Sequence, residues 1–156
     1  MKIRLIAVGD KLPGWVQAGI DEYVQRLPRE YRFEIVAIPA ASRTKSADAA
    51  KWKREEGEKL LKAIPGDSEV IAFDERGEML STADWAAALK RFTTEGRDVC
   101  FLIGGPDGFA PEVLSHADRR WSLSKLTLPH ALVRVLAVEQ LYRAWSVLAN
   151  HPYHRA

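Results

Sequence analysis

The residue pattern predicts an α/β fold: a mostly parallel sheet flanked by helices. Three observations carry this. Short aliphatic runs alternate with longer stretches at helical spacing, as in strand–helix–strand units. One run, Val99–Ile103, empties into Gly104-Gly105-Pro106-Asp107-Gly108, where glycines let backbone amides approach a ligand at the sheet's carboxyl edge. A long apolar stretch, Ala131–Ala149, follows near the C terminus, charged only at Arg134, Glu139 and Arg143.

Each element has its own signal. Lys2–Val8 reads as a strand from the alternation of Ile3, Leu5 and Ala7. Trp15–Leu27 has helical spacing at Val16, Ile20, Tyr23, Val24 and Leu27, with Pro13 before it. Arg32–Ile38 is a second strand, closed by Pro39, and Ala40–Lys45 has loop chemistry. Ser46 is placed to cap a helix over about Ala47–Ile64, and Pro65-Gly66-Asp67-Ser68 forms a turn. Glu69–Asp74 is a third strand. Ser81-Thr82-Ala83-Asp84 reads as a capping box that starts a helix to Thr94, ended by Gly96. Asp98–Ile103 is a fourth strand, and Pro111 suits the first turn of a helix to Ala117. A short strand at Leu126–Leu128 is expected before the terminal helix, His130–Ala149. That helix is apolar around nearly its whole circumference, which predicts burial on more than one side and a homodimer formed through it.

The 156 residues suggest one domain, 1–156. A domain of this size buries roughly 70% of its unfolded surface and needs no staple. The single cysteine, Cys100, excludes an internal disulfide and fits a reducing, cytoplasmic setting. The apolar run after Met1-Lys2 is too short for a signal peptide. The three charges within 131–149 argue against a membrane span, since each costs about 2.5–3.5 kcal/mol at a bilayer centre. Net charge is +2 but uneven: from Arg119 onward six Lys or Arg face one acid, Glu139. A second basic cluster is Arg43, Lys45, Lys51, Lys53 and Arg54. Clusters of this kind read either as solvated helix faces or as contacts to nucleic-acid phosphates.

Two segments carry candidate chemistry. The glycine loop is neither a dinucleotide fingerprint nor a phosphate-binding P-loop, and Pro106 removes one amide donor. By itself it reads equally well as a tight turn. The alternation in Leu123–Leu128 fits a core strand or a loop whose backbone wraps a flat ligand. The tail, Asn150–Ala156, places His151, Tyr153, His154 and Arg155 within five residues, whereas ordinary termini are polar and dispensable. No metal is expected: Pro152 splits the last histidine pair, and no carboxylate cluster lies nearby.

Taken together, Leu102–Gly108 (LIGGPDG), Trp121–His130 (WSLSKLTLPH), Val133–Leu136 (VRVL), Glu139–Trp145 (EQLYRAW) and Asn150–Arg155 (NHPYHR) resemble the SPOUT-class methyltransferases. More narrowly, they resemble the RlmH-type family, the large-subunit (23S) ribosomal RNA pseudouridine N3-methyltransferases. The similarity runs along essentially the whole chain and is most specific over 121–155.

The resemblance implies a C-terminal trefoil knot, a feature too rare for pattern reasoning to propose. Knot and cofactor site would lie within about 70–156. It implies S-adenosyl-L-methionine as cofactor, held by Phe73, Gly104, Gly105 and Leu123, Ser124, Lys125, Leu126, Thr127 and Leu128. Phe73 departs from the aliphatic residue more usual there. It implies an obligate homodimer in which one subunit's tail completes its partner's site. The implied substrate is a pseudouridine in the intersubunit stem-loop of 23S rRNA, within the assembled 70S ribosome. Tyr153, His154, Arg143 and His130 are the expected catalytic residues. Arg155, His151, Arg43 and Lys45 are expected at the substrate, with Arg119 and Arg120 also on rRNA phosphates. Three other readings remain: a related methyltransferase of another RNA such as tRNA, a non-catalytic ribosome-associated factor, and a nucleotide-binding α/β protein unrelated to methyl transfer, which would explain the glycine loop but not the tail.

Overall fold

A computed structural model describes residues 1–43 and 48–155. Five parallel strands form one sheet in the order β2-β1-β4-β3-β5. They are β1 (Ile3–Val8), β2 (Glu34–Ile38), β3 (Glu69–Met79), β4 (Val99–Ile103) and β5 (Arg119–Ser122). The helices are α1 (Gly14–Val24), α2 (Ala49–Ala63), α3 (Thr82–Glu95), α4 (Pro111–His116) and α5 (His130–Leu148).

Strand alternation divides the core into two layers. Leu5, Ile71 and Phe101 face α3 and α5, with Trp85, Leu89, Phe92, Val138 and Leu141 packed on them. Ile6, Val70, Cys100 and Leu102 face the other way, onto Leu60 of α2 and Val113 of α4. β4 is buried at every position because both of its faces are covered, as expected for a central strand of a parallel sheet.

Local chemistry sets most element boundaries. Ser81 and Asp84 form the capping box of α3, and Gly96 ends that helix at φ 68°. α1 stops at Val24 rather than Leu27, because Pro28 disfavours helical geometry at the residue before it. β2 begins at Glu34, two residues late, because Arg32 takes a left-handed conformation at φ 44° after a 3-10 turn over Arg29–Tyr31. Asp48 caps α2 by accepting from the Lys51 amide. The proposed cap Ser46 lies outside the described residues.

Two differences bear on function. The strand expected at Leu126–Leu128 does not form, and the fifth strand is Arg119–Ser122, paired on the free edge of β3. The Ser124 hydroxyl accepts from the Leu126 amide at 2.9 Å, a side-chain turn that competes with extended pairing. β3 also continues past Asp74 to Met79 through a bulge, so that Phe73 and Glu78 both lie opposite Trp121. Gly77 permits this: a Cβ there would lie 2.6 Å from the Arg120 carbonyl carbon.

Part of the apolar circumference of α5 is covered by its own chain. Val135 meets α1 at Gly19, where a Cβ would sit 3.4 Å from its methyl group, and Gln140 accepts from Thr82 of α3 at 2.8 Å. Val147 and Leu148 at the far end remain exposed.

Candidate active site

After β5 the chain turns back from the sheet edge toward β1. Ser122 lies opposite Met79 on β3, yet twelve residues later Arg134 donates to the Val8 and Gly9 carbonyls at the end of β1, both at 2.7 Å. The segment between them crosses the carboxyl edge of the sheet. It closes one wall of a cleft of about 470 Å3, within the size range of small-molecule sites.

The opposite wall is the glycine loop after β4. Gly104 and Gly105 are buried, and the Gly108 amide donates to the Gly105 carbonyl at 3.0 Å, closing a tight turn around Pro106 and Asp107. Gly108 has φ 83°, a conformation open to glycine at little cost. Phe73 and Trp121 line the floor, backed by the buried rings of Trp85 and Phe101. Phe73, Trp85 and Phe101 stack within 12° of parallel at centroid separations of 5.5–6.0 Å, and Trp121 tilts against them.

Phe73, Gly104, Gly105, Leu123, Ser124, Leu126, Thr127, Leu128 and His130 all line this cleft; Lys125 points to solvent and does not. Among the described residues, 123–128 make no backbone–backbone hydrogen bond, so apart from the Ser124 carbonyl and the Leu126 amide, which bond to serine hydroxyls, their main-chain groups can meet a ligand. The Ser122 hydroxyl donates to the Ser124 carbonyl at 2.9 Å, and together with the Ser124–Leu126 contact this shapes the turn. Buried glycines, backbone groups outside any helix or strand and an aromatic floor suit a ligand with a planar heterocycle.

His130 opens α5 at the cleft. Burial lowers its pKa, reinforced by the Arg134 and Arg43 cations, so the imidazole is neutral near pH 7. Arg134 is itself 1% exposed; burial lowers its pKa, and it is held by carbonyl oxygens rather than an acid.

The tail folds elsewhere. The Tyr153 hydroxyl donates to Glu139 at 3.0 Å and lies 3.3 Å from the Tyr23 hydroxyl, and its ring packs on Tyr142. Arg143 donates to Glu139 at 2.7 Å and 2.8 Å and lies over the Tyr153 ring. Burial, the Tyr23 contact and the Glu139 carboxylate push the Tyr153 pKa up, so it remains a phenol. His151 accepts from the Tyr153 amide at 3.2 Å, and His154 Nδ1 is buried without a partner among the described residues. Glu139 lies nine residues past His130, about 13 Å along the helix axis at the standard rise. Arg143, His151, Tyr153, His154 and Arg155 therefore gather near one another, and none of them lines the cleft.

A family model described as "Predicted SPOUT methyltransferase" matches residues 1–154. The chain belongs to the SPOUT methyltransferase family. Relatives named ribosomal RNA large subunit methyltransferase H align along essentially the whole length. Those from Nitrosococcus oceani and Alkalilimnicola ehrlichii are each 53% identical over 156 residues, covering 100% of this chain and 99% and 100% of theirs. The one from Pseudomonas fluorescens is 50% identical over 155 residues, 99% of this chain and 100% of its own. Two solved structures share the fold. One, described as structural insights into the 2-OH methylation of C/U34 on tRNA, has TM-score 0.54 at 20% identity and covers 94% of this chain and 97% of its own. A probable methylase family protein from Haemophilus influenzae Rd KW20 has TM-score 0.52 at 15% identity, covering 97% and 67%.

Sequence reasoning missed several residues that organise this SPOUT methyltransferase. Glu139 gathers Arg143 and Tyr153; its signal was to be the sole acid from Arg119 to the C terminus. Arg134 holds the start of α5 to β1, and a charge inside an apolar helix was its signal. Arg43 is not a free cation: it pairs with Glu56 at 2.6 Å and Asp107 at 2.9 Å. Arg119 likewise pairs with Glu69 at 2.9 Å. Lys51, Arg54 and Arg120 are exposed, Lys53 lines the cleft, and Lys45 lies outside the described residues.

Proposed function

We propose that this protein methylates large-subunit (23S) ribosomal RNA with S-adenosylmethionine, at N3 of a pseudouridine in the intersubunit stem-loop of the assembled ribosome. The observation that carries the reading is the cleft at the carboxyl edge, where the glycine loop and the turn 123–128 face each other over Phe73. The full-length relatives that carry large-subunit rRNA methyltransferase names support the substrate class. The reversal of the chain between β5 and α5 supports the trefoil knot implied by the family. A cytoplasmic location follows from a ribosomal substrate; among the described residues no helix is long and apolar enough to cross a membrane.

When bound, the sulfonium cofactor supplies a methyl group already activated for transfer. The protein's task is to hold N3 in line with it, and positioning of this kind supplies several kcal/mol. The N3–H must also lose its proton. Neutral His130, at the cleft, is able to accept one, as is His154 of the tail. Tyr153 keeps its proton and serves as a hydrogen-bond donor. Arg143 and Arg155 offset negative charge on the base or on phosphate. Because the tail gathers away from its own cleft, a homodimer in which each tail reaches its partner's cleft would unite the two groups. The exposed cations Lys51, Arg54 and Arg120 supply phosphate contacts.

The deciding experiment incubates the protein with labelled S-adenosylmethionine and ribosomes that lack the modification. Intact ribosomes, separated subunits and naked rRNA are compared. Label in one pseudouridine of 23S rRNA, in assembled ribosomes only and weakening with salt, is expected. Cofactor binding without label in any sample overturns the substrate assignment.

A further inference from the structure

The glycine loop is held from behind by a charged group that the methylation chemistry does not use. Glu56 of α2 is 2% exposed. Its Oε2 accepts from the Ala41 amide at 3.0 Å and from Arg43 at 2.6 Å. Arg43 also donates to the Ala41 carbonyl at 2.9 Å, lies over the Trp52 ring, and reaches Asp107 at the tip of the loop at 2.9 Å. The other oxygen, Oε1, meets no donor among the described residues and faces Gly105; a Cβ on Gly105 would stand 3.0 Å from it. The loop is thus bonded at its tip, through Arg43 to Asp107, and packed closely against the Glu56 carboxylate at its buried Gly105. A carboxylate so deeply buried is costly unless paired, and among the described residues Arg43 is the cation that pairs with it.

We propose that Glu56 is a positioning residue: with Arg43 it clamps Asp107 and presets the glycine loop in its ligand-ready shape. The proposal rests on the reading of this loop as part of the methyl-donor site. It assigns Arg43 to loop architecture rather than to a free phosphate contact, since both of its terminal nitrogens are already committed to carboxylates. The clamp reaches the donor only through the loop backbone, so its loss weakens donor capture more than transfer from the filled site.

Glu56→Gln in the full-length protein keeps the shape and removes the charge. The expected result is a KM for S-adenosylmethionine raised roughly tenfold at nearly unchanged kcat, because a loop that is no longer preset must be ordered when the donor binds. Amide hydrogen exchange in residues 104–108 quickens while β4 keeps its protection. Asp107→Asn gives the same two changes, and the double variant adds little to either, as for members of one network. Unchanged KM with unchanged loop exchange overturns the clamp. So does a rise in KM accompanied by lost protection throughout β4, which marks general destabilisation. A parent protein that fails to bind S-adenosylmethionine overturns the methyl-donor reading, while loop exchange in Glu56→Gln still decides the clamp alone.

Discussion

The Tyr153 hydroxyl donates to the Glu139 carboxylate at 3.0 Å, tying the chain's last turn back onto the middle of α5. Arg143 grips the same carboxylate oxygen from one helical turn further on. The tail is therefore an ordered part of the molecule, with its phenol and guanidinium held in fixed relation.

Removing the hydroxyl separates the structural role of this contact from the catalytic role proposed for Tyr153. Tyr153→Phe is expected to cost about 1.5–3 kcal/mol of stability, typical of a hydrogen bond to a charged acceptor. Turnover falls far more than that loss implies, and donor KM stays unchanged. Full turnover in Tyr153→Phe, His154→Ala and Arg143→Ala alike would remove the tail from the active site. If tail and cleft belong to different subunits, mixing Tyr153→Phe with a variant defective in the glycine loop restores activity that neither has alone. No recovery in mixed dimers rules out a shared site.

Gly77 is expected to tolerate no side chain. A Cβ would meet the Arg120 carbonyl carbon at 2.6 Å, its oxygen at 2.7 Å and the Trp121 amide nitrogen at 2.8 Å, all backbone atoms of β5. Gly77→Ala should cost about 1–3 kcal/mol, as overpacking does, or detach β5 from the edge. Urea denaturation measures the loss; an unchanged midpoint would show that the bulge has room to shift.

Arg134→Met retains the apolar stem and removes the donors to Val8 and Gly9. Two carbonyls at the end of β1 lose a partner, so the expected cost is roughly 2–5 kcal/mol. Arg134→Lys should recover part of it through one retained donor. Equal stability for the Met and Lys variants would mean that the carbonyls find other partners.

His130 should make stability depend on pH. Its ordinary pKa is 6.5, and burial with Arg134 and Arg43 nearby lowers it, against a smaller opposing pull from Glu56. On acidification the unfolded chain takes up this proton before the folded one does. The contribution is therefore complete above pH 6.5 and declines as pH falls from there through the lower folded pKa. His130→Gln should flatten the stability profile in that window. Matching profiles for the two proteins would place the imidazole in a solvent-like setting.

Local grammar made most of the fold legible. The capping box at Ser81, the stop at Gly96, the apolar run Val99–Ile103 and the proline that opens α4 act within a few residues, and each element formed close to where these signals stand. The cleft's residues were legible as family motifs. Their convergence was not, because Phe73, Gly104 and Leu128 meet only through sheet order and the return of the chain over it.

The sequence by itself determined the strand–helix alternation, the glycine loop and the chemically rich tail, because these depend on neighbours along the chain. Tertiary structure alone decided that β5 is Arg119–Ser122 rather than Leu126–Leu128, since an apolar alternation does not say which edge is free to pair with it. It also decided that Arg43 answers to Glu56 and Asp107, and that Glu139 holds Tyr153 and Arg143 together. Charge pairing across distant segments depends on distance in space, which the order of residues does not contain.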